Sequence, residues 1–213
     1  MKPLVVVDFD GTISVEEVSV ALLKRFAEGD WTEPYRLHVA GKITLAELMT
    51  RQFVMIRRPR EEIVRFVQET TRIRPGFEEF VRFCGKRGVP INICSAGMDV
   101  YVDAALSMLD TPPVPVGVVG KARFTPNGIQ VRFPSGRNGL DFKATFVCDK
   151  KSQGYQVVYI GDGISDFGAA KVADFVFARD SLLDVCREAG IRHEPFQDFI
   201  DVRQGLQRIL AMG

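Results

Sequence analysis

No stretch of the sequence approaches the ~18 consecutive apolar residues that a membrane span requires. The apolar run near the start covers only residues 4–7 before Asp8 interrupts it. Membrane association is therefore not expected, and a cytoplasmic location is. An excess of one charge is missing too. Twenty-eight Lys plus Arg stand against 27 Asp plus Glu, a net charge of +1. No global field draws such a chain to nucleic acid or anionic lipid, so any anion site must be local. Cysteine and histidine are sparse. Cys84, Cys94, Cys148 and Cys186 form no C-x-x-C pair, and only His38 and His193 could join them. That argues against a zinc site and leaves reduced core thiols as the expectation. Internal repeats and low-complexity tracts are also lacking. What remains is a 213-residue chain, 46% hydrophobic and 26% charged, the balance of one folded domain or of one domain carrying an insertion.

Residues 3–7 are a β-branched run without alternation, as a parallel strand buried on both faces requires. Residues 15–72 change to helical spacing, with Val18, Leu22, Leu23 and Phe26, then Leu45, Leu48 and Met49, then Ile63, Phe66 and Val67. Thr44 and Glu47 read as a capping box, and Pro59 precedes an acidic helix start at Glu61 and Glu62. After Pro75 and Gly76 the pattern alternates. A helix over 77–87 stops at Gly88, a strand covers 89–94, a helix 99–109 and a strand 114–119. A hairpin of 121–125 and 129–133 turns at Pro126-Asn127-Gly128. A helix over 141–150, a strand over 156–160, a helix over 165–172, a strand over 175–177 and helices over 181–188 and 198–210 complete the chain. This rhythm predicts an α/β fold, a doubly wound, mostly parallel, Rossmann-like sheet. Its core would be residues 1–13 and 76–213, with a small helical cap inserted at residues 14–75. Insertions of that length usually cover a site.

Ligands of open α/β sheets bind beyond the carboxyl ends of the strands. There the sequence places Asp8-Phe9-Asp10-Gly11-Thr12, then Ser95-Ala96-Gly97, then Gly161-Asp162-Gly163-Ile164-Ser165-Asp166. Four carboxylates at one sheet edge repel one another unless a cation is present, and an all-oxygen donor set suits Mg²⁺. Asp8 and Asp10, two apart in an extended segment, should face one side while Phe9 turns into the core. An aspartate can attack phosphorus if the phosphoryl charge is neutralised around it. Ser95 with the amides of Ala96 and Gly97 offers donors for that, and Lys143 offers the cation.

These residues, in this order, resemble the four motifs of the haloacid dehalogenase superfamily of aspartate-nucleophile phosphatases, and the likeness covers nearly the whole chain. It implies Asp8 as nucleophile, Asp10 as general acid and base, and Ser95 and Lys143 as phosphate ligands. It also implies Mg²⁺ held by Asp8, Asp162 and the backbone carbonyl of Asp10, with Asp166 supporting that shell. The insert resembles the small cap of the phosphoserine phosphatase branch. The tail Phe177-Ala178-Arg179-Asp180-Ser181-Leu182-Leu183, with Cys186-Arg187-Glu188 and Pro195-Phe196-Gln197-Asp198-Phe199, resembles that of methionine-salvage phosphatases within the branch. The expected substrate is a small-metabolite phosphate ester, with methionine salvage as the setting and phosphoserine or phosphocholine as alternatives. In phosphoserine phosphatases a cap glutamate and arginine hold the amino acid; Glu17 matches the first, but Gln52 stands where the arginine belongs. The bidentate partner of a carboxylate is thus missing, which argues against phosphoserine. The cysteine-rich stretch before the third motif, frequent in salvage enzymes, is absent from residues 134–142.

Plainer readings exist for several features. Asp, Gly and Thr favour turns, Glu17 at a helix start suits the helix dipole, and Arg57-Arg58-Pro59-Arg60 suits a solvated turn. Met49, Met55 and Met98 suit packing, and His38 and His193 structural roles. A phospho-receiver domain also uses strand-end acids, a hydroxyl, a lysine and Mg²⁺. It has no need of a proton donor such as Asp10, nor of an insert over the site.

Overall fold

The computed structural model describes residues 2–137 and 141–211. Its centre is strand β1 (Lys2–Val7), buried from Leu4 to Val7. Parallel neighbours are β2 (Ile91–Met98) on one side and β5 (Tyr155–Gly161) on the other. With β3 (Val116–Thr125), β4 (Gly128–Arg132), β6 (Phe175–Ala178) and β7 (His193–Pro195), the sheet runs β4-β3-β2-β1-β5-β6-β7. Every adjacent pair is parallel except the β3–β4 hairpin. Leu4 and Val6 enter one buried cluster and Val5 and Val7 the other. This is the period-two alternation of a strand covered on both faces.

Four helices form the insert: α1 (Val18–Phe26), α2 (Thr32–Val39), α3 (Leu45–Phe53) and α4 (Arg60–Thr70). Thr44 and Glu47 make the expected capping box at α3, and Pro59 precedes α4. Then come α5 (Phe77–Arg87), closed by Gly88 in the left-handed conformation, α6 (Asp99–Leu106), α7 (Phe142–Ser152), α8 (Phe167–Val172), α9 (Asp180–Glu188) and α10 (Phe199–Ala211). Helices cover both sheet faces, so the doubly wound arrangement holds.

The insert leaves and re-enters the sheet layer through two linkers that pair with each other. Ser14 and Ile73 form an antiparallel bridge, the Val15 amide donates to the Arg72 carbonyl at 2.9 Å, and the Arg74 amide donates to the Ile13 carbonyl at 2.7 Å. Leu22, Phe26, Phe53, Ile63 and Val67 are buried in the same cluster as Val5 and Ile93. The far end of the insert rests on the β3–β4 hairpin, where the Ile129 amide donates to the Ile56 carbonyl at 3.1 Å. Gly128, at φ +113°, lies so near the Val54 backbone that no Cβ would fit.

Several boundaries differ from those expected. The two strands expected at 114–119 and 121–125 are one continuous strand over Val116–Thr125, in which Gly120 pairs with Met98 and leaves room for Val131 and Phe133. Strand β2 runs on through Ser95, Ala96 and Gly97, which the sequence places beyond its end. Helix α6 stops at Leu106 rather than at 109, and β7 is too short to carry a periodic signal. All four cysteines are free thiols, Cys84, Cys94 and Cys186 of them buried. Among the described residues no helix is long and apolar enough to cross a membrane.

Candidate active site

Strand β1 delivers Asp8, whose amide donates to the Ile160 carbonyl at 2.9 Å, so the nucleophile candidate is anchored to β5. The chain then bends. Gly11 adopts φ +73°, and a Cβ there would overlap the Asp162 carboxylate, so only glycine fits. Phe9 is fully buried in the core, as expected. Thr12 Oγ1 donates to Asp162 Oδ1 at 2.6 Å, tying the first strand end to the fifth. Ser14 Oγ closes the turn by accepting from the Gly11 amide at 3.3 Å and donating to the Glu16 carbonyl at 2.6 Å.

Lys143 occupies the first turn of α7, whose start is capped by Asp141 Oδ1 accepting from the Ala144 amide at 2.8 Å. Its side chain is 1% exposed, and Nζ donates to Asp8 Oδ1 at 2.9 Å and Asp166 Oδ1 at 2.6 Å. Burial lowers the Lys143 pKa, but the Asp166 and Asp8 carboxylates outweigh it and the net shift is upward. Asp166 is fully buried and saturated. Oδ1 also accepts from the Tyr159 hydroxyl at 2.6 Å, and Oδ2 from the amides of Asp162 and Gly163 at 3.1 Å each. Its geometry orients Lys143 and shapes the loop bearing Asp162.

Asp8, Asp162 and Asp166 bring carboxylate oxygens within 4.8 Å of one another. Burial, then Asp166, drives the Asp8 pKa well up, with Lys143 pulling the other way. Burial and Asp166 likewise push Asp162 to about 7. One ammonium cannot neutralise three carboxylates, so the protein alone leaves this cluster short of positive charge. A hard divalent cation with oxygen ligands fits such a donor set.

The Asp10 carboxylate lies outside that cluster. Oδ1 accepts from the Val18 amide at 2.7 Å and the Ser19 amide at 3.4 Å, at the start of α1, and Oδ2 accepts from the Tyr101 hydroxyl. Burial raises the Asp10 pKa, while Tyr101 and the Val18 and Ser19 donors oppose the rise. The Asp10 carboxylate is thus engaged by α1 and by Tyr101 rather than by the acid cluster. Ser95 is 1% exposed and its Oγ accepts from the Gly97 amide at 3.0 Å, so Ser95, Ala96 and Gly97 form one compact corner at the end of β2.

The two insert residues fare differently. Glu17 reaches solvent at the head of α1 and makes no capping bond; Asp10 takes the Val18 amide instead. Partial burial and then Asp10 raise the Glu17 pKa. Gln52 is buried, and its Nε2 donates to the Trp31 carbonyl at 3.0 Å, which joins α3 to the loop before α2. His38 and His193 bond to nearby backbone carbonyls of Ile43 and Ile191, in keeping with structural roles. Tyr101, Tyr159, Thr12 and Arg74 were not singled out by sequence reasoning. Of these, only Thr12 carried a signal, its place inside the Asp-x-Asp-Gly-Thr run.

Comparison with known proteins gives a consistent picture. The haloacid dehalogenase-like hydrolase family matches over residues 5–171. A 2-hydroxy-3-keto-5-methylthiopentenyl-1-phosphate phosphatase from Geobacillus kaustophilus is 36% identical, over 95% of this chain and 94% of the relative. The bifunctional enzyme MtnB/MtnX of Bacillus licheniformis is 35% identical over 97% of this chain, which spans about half (49%) of that longer protein. A phospho-aspartyl intermediate analogue of phosphoserine phosphatase superposes with a TM-score of 0.72, at 17% identity over 95% of this chain and 98% of the other. That last likeness speaks to the fold alone.

Proposed function

The chain belongs to the haloacid dehalogenase-like hydrolase family, and from that premise we propose that it is a Mg²⁺-dependent phosphomonoesterase of a small metabolite that works through an aspartyl-phosphate. The observation that carries this reading is Asp8 held between the buried Lys143 ammonium at 2.9 Å and the Asp162–Asp166 pair. A receiver domain is set aside, because the relatives are named as phosphatases over nearly this whole chain.

In the proposed reaction Asp8 Oδ attacks phosphorus and the bond to the ester oxygen breaks. Asp10 gives its proton to the departing oxygen. In the second half Asp10 takes a proton from water, whose oxygen attacks phosphorus and frees the Asp8 carboxylate. Lys143, Ser95 and the amide of Ala96 hold the phosphoryl oxygens, while the Gly97 amide orients the Ser95 hydroxyl. Asp8, Asp162 and the Asp10 carbonyl would hold Mg²⁺, with Asp166 behind them; when bound it neutralises phosphate charge that the carboxylates would otherwise repel. Residues 14–75 act as a cap that limits water during the first half.

The substrate we favour is 2-hydroxy-3-keto-5-methylthiopentenyl-1-phosphate, the compound in the relative's name. Phosphoserine is disfavoured, since Gln52 offers no bidentate cation and its amide is engaged with Trp31. Phosphate release from that ester, phosphoserine and phosphocholine, with Mg²⁺ and after chelation, tests the reading. The salvage ester should lead the ranking, and a preference for phosphoserine, or full activity without metal, would overturn it.

A further inference from the structure

Tyr101 is fully buried on α6, its ring packed at 5.9 Å from that of Phe9 and 6.4 Å from that of Phe53. A buried tyrosine needs a partner for its hydroxyl, and a backbone carbonyl would serve for stability alone. Here the partner is the Asp10 carboxylate, 91 residues away in the chain. Together with the Val18 and Ser19 amides on Oδ1, the Tyr101 hydroxyl on Oδ2 clamps Asp10 at both oxygens, between α6 of the core and the first turn of α1 in the insert. Gly97 belongs to the same device. A Cβ there would overlap the Tyr101 hydroxyl, so the strand end that carries Ser95 is bare where the tyrosine passes.

A carboxylate has roughly four lone-pair directions; the Val18 and Ser19 amides and the Tyr101 hydroxyl take three, with the Ser19 hydroxyl also in reach, so a proton on Asp10 has little choice of direction. We propose that Tyr101 is a positioning residue for Asp10, fixing the rotation of its carboxylate so that the remaining direction meets the leaving oxygen of the ester. This inference rests on the reading of Asp10 as proton donor given above. Tyr101 transfers nothing itself. The proton on Asp10 passes to the ester oxygen as the phosphorus–oxygen bond breaks and is replaced from water later, while the tyrosine keeps its own.

The test exploits leaving-group chemistry. A nitrophenolate departs without help, whereas an alkoxide must be protonated as it leaves, so misplacing the donor penalises alkyl esters selectively. The quantity to compare is kcat/KM, which covers only the steps through release of the alcohol or phenol. It is measured on p-nitrophenyl, phenyl and ethyl phosphate for wild type, Tyr101→Phe, Asp10→Asn and the double variant. Tyr101→Phe keeps the ring and its packing, and circular dichroism reads its folded state. We expect a loss of about threefold or less on p-nitrophenyl phosphate and of about tenfold or more on ethyl phosphate, in line with the range for proton-transfer groups. Adding Tyr101→Phe to Asp10→Asn should leave the dependence on leaving group unchanged, because the hydroxyl then has no donor to aim. Equal losses on all three esters, no loss on any, or a further loss in the double variant equal to that in wild type would each overturn the inference and leave Tyr101 as packing. If Asp10→Asn itself fails to steepen the dependence, Asp10 is not the donor, and the parent reading falls with this one.

Discussion

Arg74 donates from Nε to the Thr12 carbonyl at 2.7 Å, so the linker returning from the insert grips the loop that follows Asp8 and Asp10. Its Nη2 also reaches the carbonyls of Gly11 at 2.5 Å and Ser14 at 3.3 Å. Arg74 is 6% exposed, and burial lowers its pKa, with Arg179 adding to the effect. Its donors meet backbone carbonyls, and it forms no salt bridge among the described residues. The cation is thus a clamp for oxygens that the turn at Gly11 leaves without amide partners.

Arg74→Met should therefore unpair several buried carbonyls, each worth about 1–3 kcal/mol when left unsatisfied. A thermal melt should show a clearly lower Tm, and kcat should fall on every ester, because the gripped loop follows directly on Asp8 and Asp10. A variant with wild-type Tm and kcat would show that the loop holds its shape unaided.

Asp8→Asn should fold and yet turn nothing over, since an amide is a poor nucleophile. Asp10→Asn should cost about 10²- to 10⁴-fold through lost proton transfer. Acid-quenched protein, digested and mapped, should carry its phosphoryl group on Asp8. A label on any other residue would refute the covalent step.

The strand-end acids were legible because chain order and sheet topology alone bring Asp8, Ser95 and Asp162 to one edge. The direction of the Asp10 side chain was not. The rule that residues two apart face one side holds for an extended run, and Phe9, with helical backbone angles between the extended Asp8 and Asp10, breaks that run. Asp10 instead meets Val18 and Tyr101, eight and 91 residues away. Tyr101 and Arg74 were invisible for a related reason. Each reads as an ordinary helix or linker residue until tertiary packing sets it against a partner dozens of residues distant. Three of the insert's four helices were plain from their periodicity, but α2, which buries only Pro34, carries no such stripe, and the insert's seat on the β3–β4 hairpin depends on backbone contacts at Gly128 that leave no mark on hydrophobic spacing.

The acid cluster gives stability a pH dependence that metal should reverse. Asp162 titrates near 3.8 ordinarily but at about 7 in the fold, raised by burial and Asp166. Between those values the folded protein binds a proton that the unfolded chain has released, so stability falls as pH rises through this window. Asp8 and Asp10, also raised, act in the same direction, while Asp30, lowered to about 2, acts oppositely below the window and Glu47, lowered from 4.5, acts oppositely at its acid end. The clean measurement is the gain in Tm on adding Mg²⁺ to chelated protein, which should be larger at pH 8 than at pH 5.5, because protons no longer compete. At a hundredfold excess over Kd the stabilisation should be about 2.7 kcal/mol. An equal gain at both pH values would mean that Mg²⁺ binds elsewhere.

Specificity should reside in the insert, and Glu17 and Gln52 allow that to be tested separately from the chemistry. Glu17 is exposed near Asp10 and free of capping duty, so Glu17→Gln should reorder the substrates while a generic ester such as p-nitrophenyl phosphate stays within about tenfold of wild type. Gln52 is different, because its amide ties α3 to Trp31. Gln52→Ala should cost about 1 kcal/mol through that lost bond and lower all substrates together. Gln52→Arg retains donors for the Trp31 carbonyl and adds a guanidinium fork, so it should improve kcat/KM for phosphoserine relative to p-nitrophenyl phosphate. Wild type, the three variants and two substrates suffice for the comparison. If all three variants lose activity in equal proportion on both esters, these positions only hold the insert together, and selection must come from other residues.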